Sequence, residues 1–432
     1  MANHARTPRV SARKRRTRTR NTRTIKVLTF VIVLFAAFII GFALRGNSAL
    51  LDSIGFPQSV TGVSEDKNDT DVSSKDPYNS LAARISEVED ILATDSLDSY
   101  DLETITGDVL TAFAAASGDP YVRYYSPARY QELLNTQNEG YAGIGALFSE
   151  YNGQAYVVDL FEGSPAQLGG VQVGDFVVAV DGDREQSWSR SEVASLLSQH
   201  AGQSAVITWR RPESLESDGG REFTTTLQCA EYDEPNVTIE YYGDQHVGYI
   251  RLKQFTQNSA SLVEKALRDL EAQGAESYVL DLRDNPGGYL SQAVDVASLF
   301  MNSGTVVEIR TVDGQSAKAA SGKVATAAPL IVLINKNTAA AAEVVAAALK
   351  ENQRATLVGV TTLGKGSVQV LHELSFGGAM RYTAAYYLTP EGHAIDQVGV
   401  SPTVLVDTGG NDDAQKQYAI EVASTRTETT AQ

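Results

Sequence analysis

Between residues 247 and 360, short apolar runs of strand length alternate with longer stretches of helical period, and this alternation limits the fold more than any single motif does. Val247-Gly248-Tyr249-Ile250-Arg251-Leu252 reads as a strand, 259–273 as a helix, 278–282 as a buried strand and 290–300 as a helix. Residues 330–334 then read as a strand, 339–350 as a helix and 355–360 as a strand. Strand-helix alternation of this kind predicts an α/β core whose strands run mainly parallel.

A chain of 432 residues is too long for one ordinary core, so two or three domains are expected. From 140 to about 230 the period changes. Ala155-Tyr156-Val157-Val158, Asp175-Phe176-Val177-Val178-Ala179-Val180 and Ala205-Val206-Ile207-Thr208-Trp209 are short runs bounded by Gly, Asp and Pro. They read as strands of a small barrel, interrupted by one helix over 190–199. Further upstream, Leu81, Ile85, Val88, Ile91 and Leu92 recur at helical spacing, and Leu102, Ile105, Val109, Leu110 and Phe113 repeat the pattern. Two amphipathic helices acting as scaffold are expected there.

Residues 25–44 form an apolar run interrupted only by Lys26 and Thr29. At ~1.5 Å per residue it is long enough to cross a ~30 Å hydrocarbon layer as one transmembrane helix. Residues 1–45 hold 11 basic and no acidic side chains, which orients the amino terminus to the cytoplasm and places the rest outside. A cleaved signal peptide has an apolar stretch of only ~7–15 residues and a small-x-small exit. This run leaves through Leu44-Arg45-Gly46, so an uncleaved single-pass anchor in the cell membrane is expected. Basic residues beside a span are explained by topology and anionic lipid, so nucleic acid is not expected as a partner. Beyond residue 45 there remain 25 basic and 53 acidic side chains, a net of −28, which favours solubility and repels nucleic acid. Residues 45–76, rich in Ser, Asp, Gly, Thr and Asn, read as a flexible linker. Cys229 has no partner for an intrachain disulfide, and with five histidines and no Cys pair neither a metal nor another cofactor is expected.

Four stretches stand out in order: Gly118-Asp119-Pro120-Tyr121 through Tyr130; Gly163-Ser164-Pro165-Ala166 with Gly174-Asp175; Leu280-Asp281-Leu282-Arg283-Asp284-Asn285-Pro286-Gly287-Gly288; and Gly364-Lys365-Gly366 with Gln369. Over about 78–404 the chain resembles the C-terminal processing (tail-specific) peptidases, PDZ-containing serine peptidases of Ser/Lys type. The resemblance implies an α/β crotonase-like protease core with an inserted PDZ β-barrel domain, an N-terminal helical segment and one transmembrane helix. The expected domains are a basic cytoplasmic arm (1–24), the membrane helix (25–44), the linker (45–76), the helical segment (77–139), the PDZ domain (140–230), the peptidase core (231–406) and a disordered tail (407–432).

The resemblance also places the site. Its nucleophilic serine falls on Ala340, three residues before Glu343 and twenty-five before Lys365. The position, at a strand-to-helix turn, suits a nucleophile because a helix dipole and free N–H groups stabilise an oxyanion there. Read without the resemblance, the same stretch is an alanine-rich helix start. Lys365, between two glycines, has the surroundings to lose charge and act as general base, with the Gln369 amide as its orienter; a surface lysine in a glycine turn is the alternative. The oxyanion hole is implied at the Gly287 or Gly288 amide with Ala341 as second donor. Tyr141-Ala142-Gly143-Ile144-Gly145-Ala146 is implied to be the PDZ loop that receives a peptide carboxylate, centred on Gly143, Ile144 and Gly145. Gly359-Val360-Thr361-Thr362-Leu363-Gly364-Lys365 imitates a phosphate-binding loop, but Gly366 stands where a hydroxyl must hold Mg²⁺.

Two functions remain open. One is a membrane-anchored C-terminal processing serine peptidase acting on the tails of exported proteins, with its nucleophile replaced by Ala340. The other is a non-catalytic pseudopeptidase that binds protein C-termini through its PDZ domain. Oligomeric state is open, a homodimer included.

Overall fold

The computed structural model describes residues 80–97, 100–134, 141–184, 187–200, 202–232, 235–407 and 412–430. The expected cytoplasmic arm, the membrane helix over 25–44 and the linker lie outside the described residues. No helix among the described residues is long and apolar enough to cross a membrane. The chain divides into two compact units, ending and beginning at Ser99 and Tyr100. Of the first, one helix is described, α1 (Leu81–Asp95), opened by the Ser80 hydroxyl accepting the Ala83 N–H at 3.1 Å. Its apolar stripe has the expected spacing, but Leu81, Ile85, Val88, Ile91 and Leu92 are all exposed and the helix buries no residue. It is not the packed scaffold that its period suggests.

In the second unit, α2 (Leu102–Ala115), β1 (Arg123–Tyr125) and α3 (Pro127–Leu134) precede the inserted β domain. That domain holds β2 (Tyr141–Gly143), β3 (Ala146–Tyr151), β4 (Gln154–Leu160), α4 (Pro165–Leu168), β5 (Phe176–Val180), α5 (Arg190–Gln199), β6 (Ser204–Arg211), β7 (Arg221–Gln228) and β8 (Ala230–Tyr232). Its antiparallel sheet has the order β3-β4-β5-β6-β7, and β2 pairs β8 separately. Alternation along these strands buries Phe148, Val157, Val177, Ile207 and Trp209 in one core with Val193 and Leu197 of α5. A second cluster, Leu147, Tyr156, Val158, Phe161 and Phe176, packs against Leu363, which belongs to the α/β core. The inserted domain therefore sits on the segment that carries Lys365.

The core continues with β9 (Val237–Tyr242), β10 (Val247–Leu252), α6 (Ser259–Gln273), β11 (Ser277–Asp281), α7 (Leu290–Ser298), β12 (Thr305–Thr311), β13 (Gly314–Ala319), β14 (Leu330–Ile334), α8 (Ala341–Glu351), β15 (Thr356–Gly359), β16 (Ser367–Glu373), β17 (Ala379–Leu388), β18 (Val404–Leu405) and α9 (Asp412–Thr430). One six-stranded sheet has the order β18-β15-β14-β11-β10-β9, parallel throughout except for the β9 edge. Both of its faces are covered, as the unbroken apolar runs of β11 and β14 require. Helices α6, α7 and α8 contribute to the larger cluster, and Ala419, Ile420 and Ala423 of α9 to the opposite one. A second sheet joins β1, β17, β12 and β13, with β16 on the other side of β17. Thus the N-terminal segment lends a strand to the core.

The tail over 407–432 was expected to be disordered. Instead 412–430 is helical, because Ala419, Ile420 and Ala423 at helical spacing close the sheet face that α6 to α8 leave open. Gln415 fixes it further, donating to the Val406 carbonyl at 2.7 Å and accepting from Arg283 at 3.2 Å. Ile420→Ala should lower the unfolding free energy by about 2 kcal/mol or more in a guanidinium titration followed by circular dichroism. A tail free of the sheet would show no change.

Candidate functional site

Parallel pairing aligns β11 with β14, Asp281 opposite Leu333, so the segments leaving the two strands emerge side by side. From β14 the chain turns through Asn335 to Thr338. The Thr338 hydroxyl accepts the Asn335 N–H at 3.0 Å and donates to the Leu282 carbonyl at 2.8 Å, and the Ala339 N–H donates to the Asn285 carbonyl at 2.9 Å. From β11, Asp284 accepts from the amides of Asn335 and Asn337, each at 2.8 Å. These bonds bind the two loops into one body.

Ala340 follows with φ 50° and ψ −116°, in the left-handed half of backbone space that a Cβ disfavours by roughly 1–3 kcal/mol. Its N–H donates to Glu343 at 2.8 Å, and α8 begins at the next residue. Among the described residues the Ala341 N–H has no acceptor. A Cβ on Gly287 would lie 2.8 Å from the Ala341 nitrogen and 2.9 Å from the Ala340 Cβ, so only glycine brings this loop so close. The Gly287 N–H is taken by the Asn285 side chain at 2.9 Å, whereas the Gly288 N–H has no partner among the described residues. Of the two glycines left open by sequence, Gly288 is the one with a free donor.

Glu343 is wholly buried and joins the turn to the Lys365 loop. It accepts from the Thr362 hydroxyl at 2.6 Å and from the N–H groups of Gly364, Lys365 and Ala340 at 2.7, 2.8 and 2.8 Å. Burial pushes its carboxyl up to about 7, against these four donors, which favour the ionised form.

Lys365 is also largely buried, and burial lowers its pKa while Glu150 opposes that shift. Its amine lies 3.7 Å from Glu150 on β3 and 5.4 Å from the centre of the Tyr121 ring. With Gly364, Gln397, Asn152 and Leu215 these residues line an open cavity of about 480 Å³ between the inserted domain and the core. Among the described residues no hydrogen bond joins Gln369 to Lys365. The register of β16 against β17 skips Ala384 on β17, and the Gln369 amide donates to Thr383 at 3.5 Å. Sequence reasoning missed Glu150, which has no motif around it; Tyr121 lay inside a recognised motif but had no role.

In the inserted domain, Gly145 adopts φ 74°, and the carbonyls of Ile144 and Gly145 accept from Ala166 and Phe161 at 3.0 and 2.9 Å. The N–H groups of Ile144 and Gly145 have no partner among the described residues, and Gly143 faces Leu197 of α5. Loop, β3 and α5 meet in one buried cluster, with the two free donors at its end.

Residues 246–406 match the model of peptidase family S41, and 156–211 match a PDZ domain. A carboxyl-terminal-processing protease of Synechocystis sp. is 38% identical over 298 residues, 68% of this chain and 69% of that protein. The carboxy-terminal processing protease CtpA of Bacillus subtilis is 29% identical over 319 residues, 73% and 67% of the two chains. Among solved structures, the photosystem II D1 C-terminal processing protease superposes with a TM-score of 0.62 at 28% identity, covering 78% of this chain and 90% of that one. The chain belongs to peptidase family S41, with the carboxyl-terminal-processing proteases, and carries their PDZ domain.

The Glu343 carboxyl gives a test of the clamp. An acid whose pKa is higher folded than unfolded contributes stability below its ordinary value of 4.5 and loses it as pH rises through about 7. Relative to Glu343→Gln, the unfolding free energy of this chain should fall by about 3 kcal/mol across that interval, read from denaturant titrations at each pH. Parallel curves would mean that the buried carboxyl titrates normally.

Proposed function

We propose that this protein is a membrane-anchored member of the carboxyl-terminal-processing group that captures the C-terminal tails of exported proteins outside the cytoplasm. Its core is equipped to polarise a peptide carbonyl but lacks the attacking oxygen. The observation that carries this reading is the turn at Ala340. A methyl group occupies the position where the family resemblance calls for a serine hydroxyl, while two free N–H donors and a buried lysine remain around it. The anchor rests on the apolar run 25–44 and the basic arm before it. The domain limits are taken as 77–139, 140–230 and 231–406.

In this reading the substrate carbonyl lies between the Gly288 and Ala341 amides, where the start of α8 adds its dipole. Lys365 supplies the base once neutral, a role its burial favours. Thr338 spends its hydroxyl inside the turn, and Thr362 donates to Glu343. The chain as written therefore binds without cutting. The free N–H groups of Ile144 and Gly145 favour tail capture, since a peptide carboxylate supplies the missing acceptors and its chain adds to β3, the edge of the sheet.

Ala340→Ser should raise cleavage of a peptide ending in apolar residues by at least about a hundredfold, measured by mass spectrometry, and Lys365→Ala should abolish the gain. A folded serine variant with no gain would indicate further lesions. Tail capture has its own test, because it needs nothing from residue 340. Free-acid peptides should bind about tenfold or more tightly than matched C-terminal amides in calorimetric titration, a charge-assisted contact of roughly 1.5–3 kcal/mol. Equal affinities would remove the carboxylate site.

A further inference from the structure

Lys365 meets one carboxylate within ion-pair range among the described residues, and that carboxylate comes from the inserted domain. Glu150 stands on edge strand β3 and is 3% exposed. It is held by Arg381 of β17 at 2.5 Å and by the Arg190 N–H at the start of α5 at 3.2 Å, with the Lys365 amine at 3.7 Å. Burial works to raise its pKa, but Lys365, Arg381 and Arg123 outweigh this and hold it down to about 2, which favours the carboxylate. The other groups facing the amine are the cations Arg381 and Arg190 and the Tyr121 ring, and exposed Lys336 and Glu216 line the same cavity. Glu343 touches only the backbone N–H of Lys365, and Gln369 is bonded elsewhere.

We infer that Glu150 is a positioning residue for Lys365: seated beside the amine, its carboxylate keeps the lysine an ammonium, and withdrawing it is what frees the lone pair for proton transfer. This inference rests on the reading of Lys365 as the base of the site. An ammonium has three N–H donors and no acceptor, so it cannot take a proton from a hydroxyl. Burial favours the neutral amine, and Glu150 is the charge that opposes this. β3, which bears Glu150, is also the strand a captured tail would extend, so tail binding and the charge state of the lysine share one element.

The test reads the lysine directly and does not require activity. The full-length protein in detergent is pulsed with acetic anhydride across a pH series, and acetylation of Lys365 is measured by mass spectrometry, with exposed Lys265 as internal control. Glu150→Gln should lower the labelling midpoint of Lys365 by one pH unit or more, about a tenfold gain in reactive amine at a fixed pH below the midpoint, with Lys265 unchanged. If Glu150 only held the domains together, its loss would wet the lysine and move the midpoint up instead. An unmoved or raised midpoint in the folded variant overturns the inference. Should Glu150→Gln fail to fold, Glu150→Asp decides: its retracted carboxylate should lower the midpoint by a smaller amount, and no fall overturns the inference. Failure of Ala340→Ser to cut peptides would leave this measurement intact.

Discussion

The pairing of β11 with β14 is the constraint from which the site follows. Because the two strands run parallel with Asp281 opposite Leu333, both chains leave the sheet at the same edge and must find room beside each other. Gly287 in one segment and an alanine turn in the other allow that approach, and the side chains of Asp284, Asn335, Asn337 and Thr338 fill the junction with hydrogen bonds. Open α/β sheets bind ligands beyond the carboxyl ends of their strands, where loops from neighbouring strands converge on one point. Here that geometry brings Gly287 against the backbone of Ala339 to Ala341.

Glu343 extends this body to the third segment. It lies in the first turn of α8, where the helix dipole favours an anion, yet it is sealed from water and receives four donors from two different loops. Its two oxygens therefore set the spacing between Ala340 and Lys365, residues twenty-five apart in sequence. A buried carboxyl with a complete set of donors rigidifies the loops around it, and loss of any donor would leave an unsatisfied acceptor in a dry place.

The fold was largely legible because the core strands are buried on both faces and the helices between them are amphipathic. Residues 247–252, 259–273 and 330–334 have the expected type and limits. Patterning told less where partners are distant. The α1 stripe has a helical period but no cover, and α9 was missed because its few buried residues are mostly alanines, which give no apolar run. At the site, motif and spacing picked out Ala340, Lys365 and the glycine loop, whereas the bond of the Gln369 amide to Thr383 depends on the pairing of β16 with β17, which spacing along the chain does not record. Glu150 was invisible: its importance arises from the docking of one domain on another, and nothing local to β3 records it.

The backbone of Ala340 bears on what holds this turn in shape. A residue with a Cβ held at φ 50° is strained, and alanine gains nothing from that conformation on its own account. The strain is sustained by the neighbours, through the Glu343 acceptor on its N–H and the Asn285 carbonyl on the N–H before it. All of these would hold a serine in the same place, since the two side chains differ by one oxygen and share the same Cβ. The turn's geometry thus belongs to its surroundings and not to the residue at its centre. A change of side chain at that centre therefore leaves the arrangement around it in place.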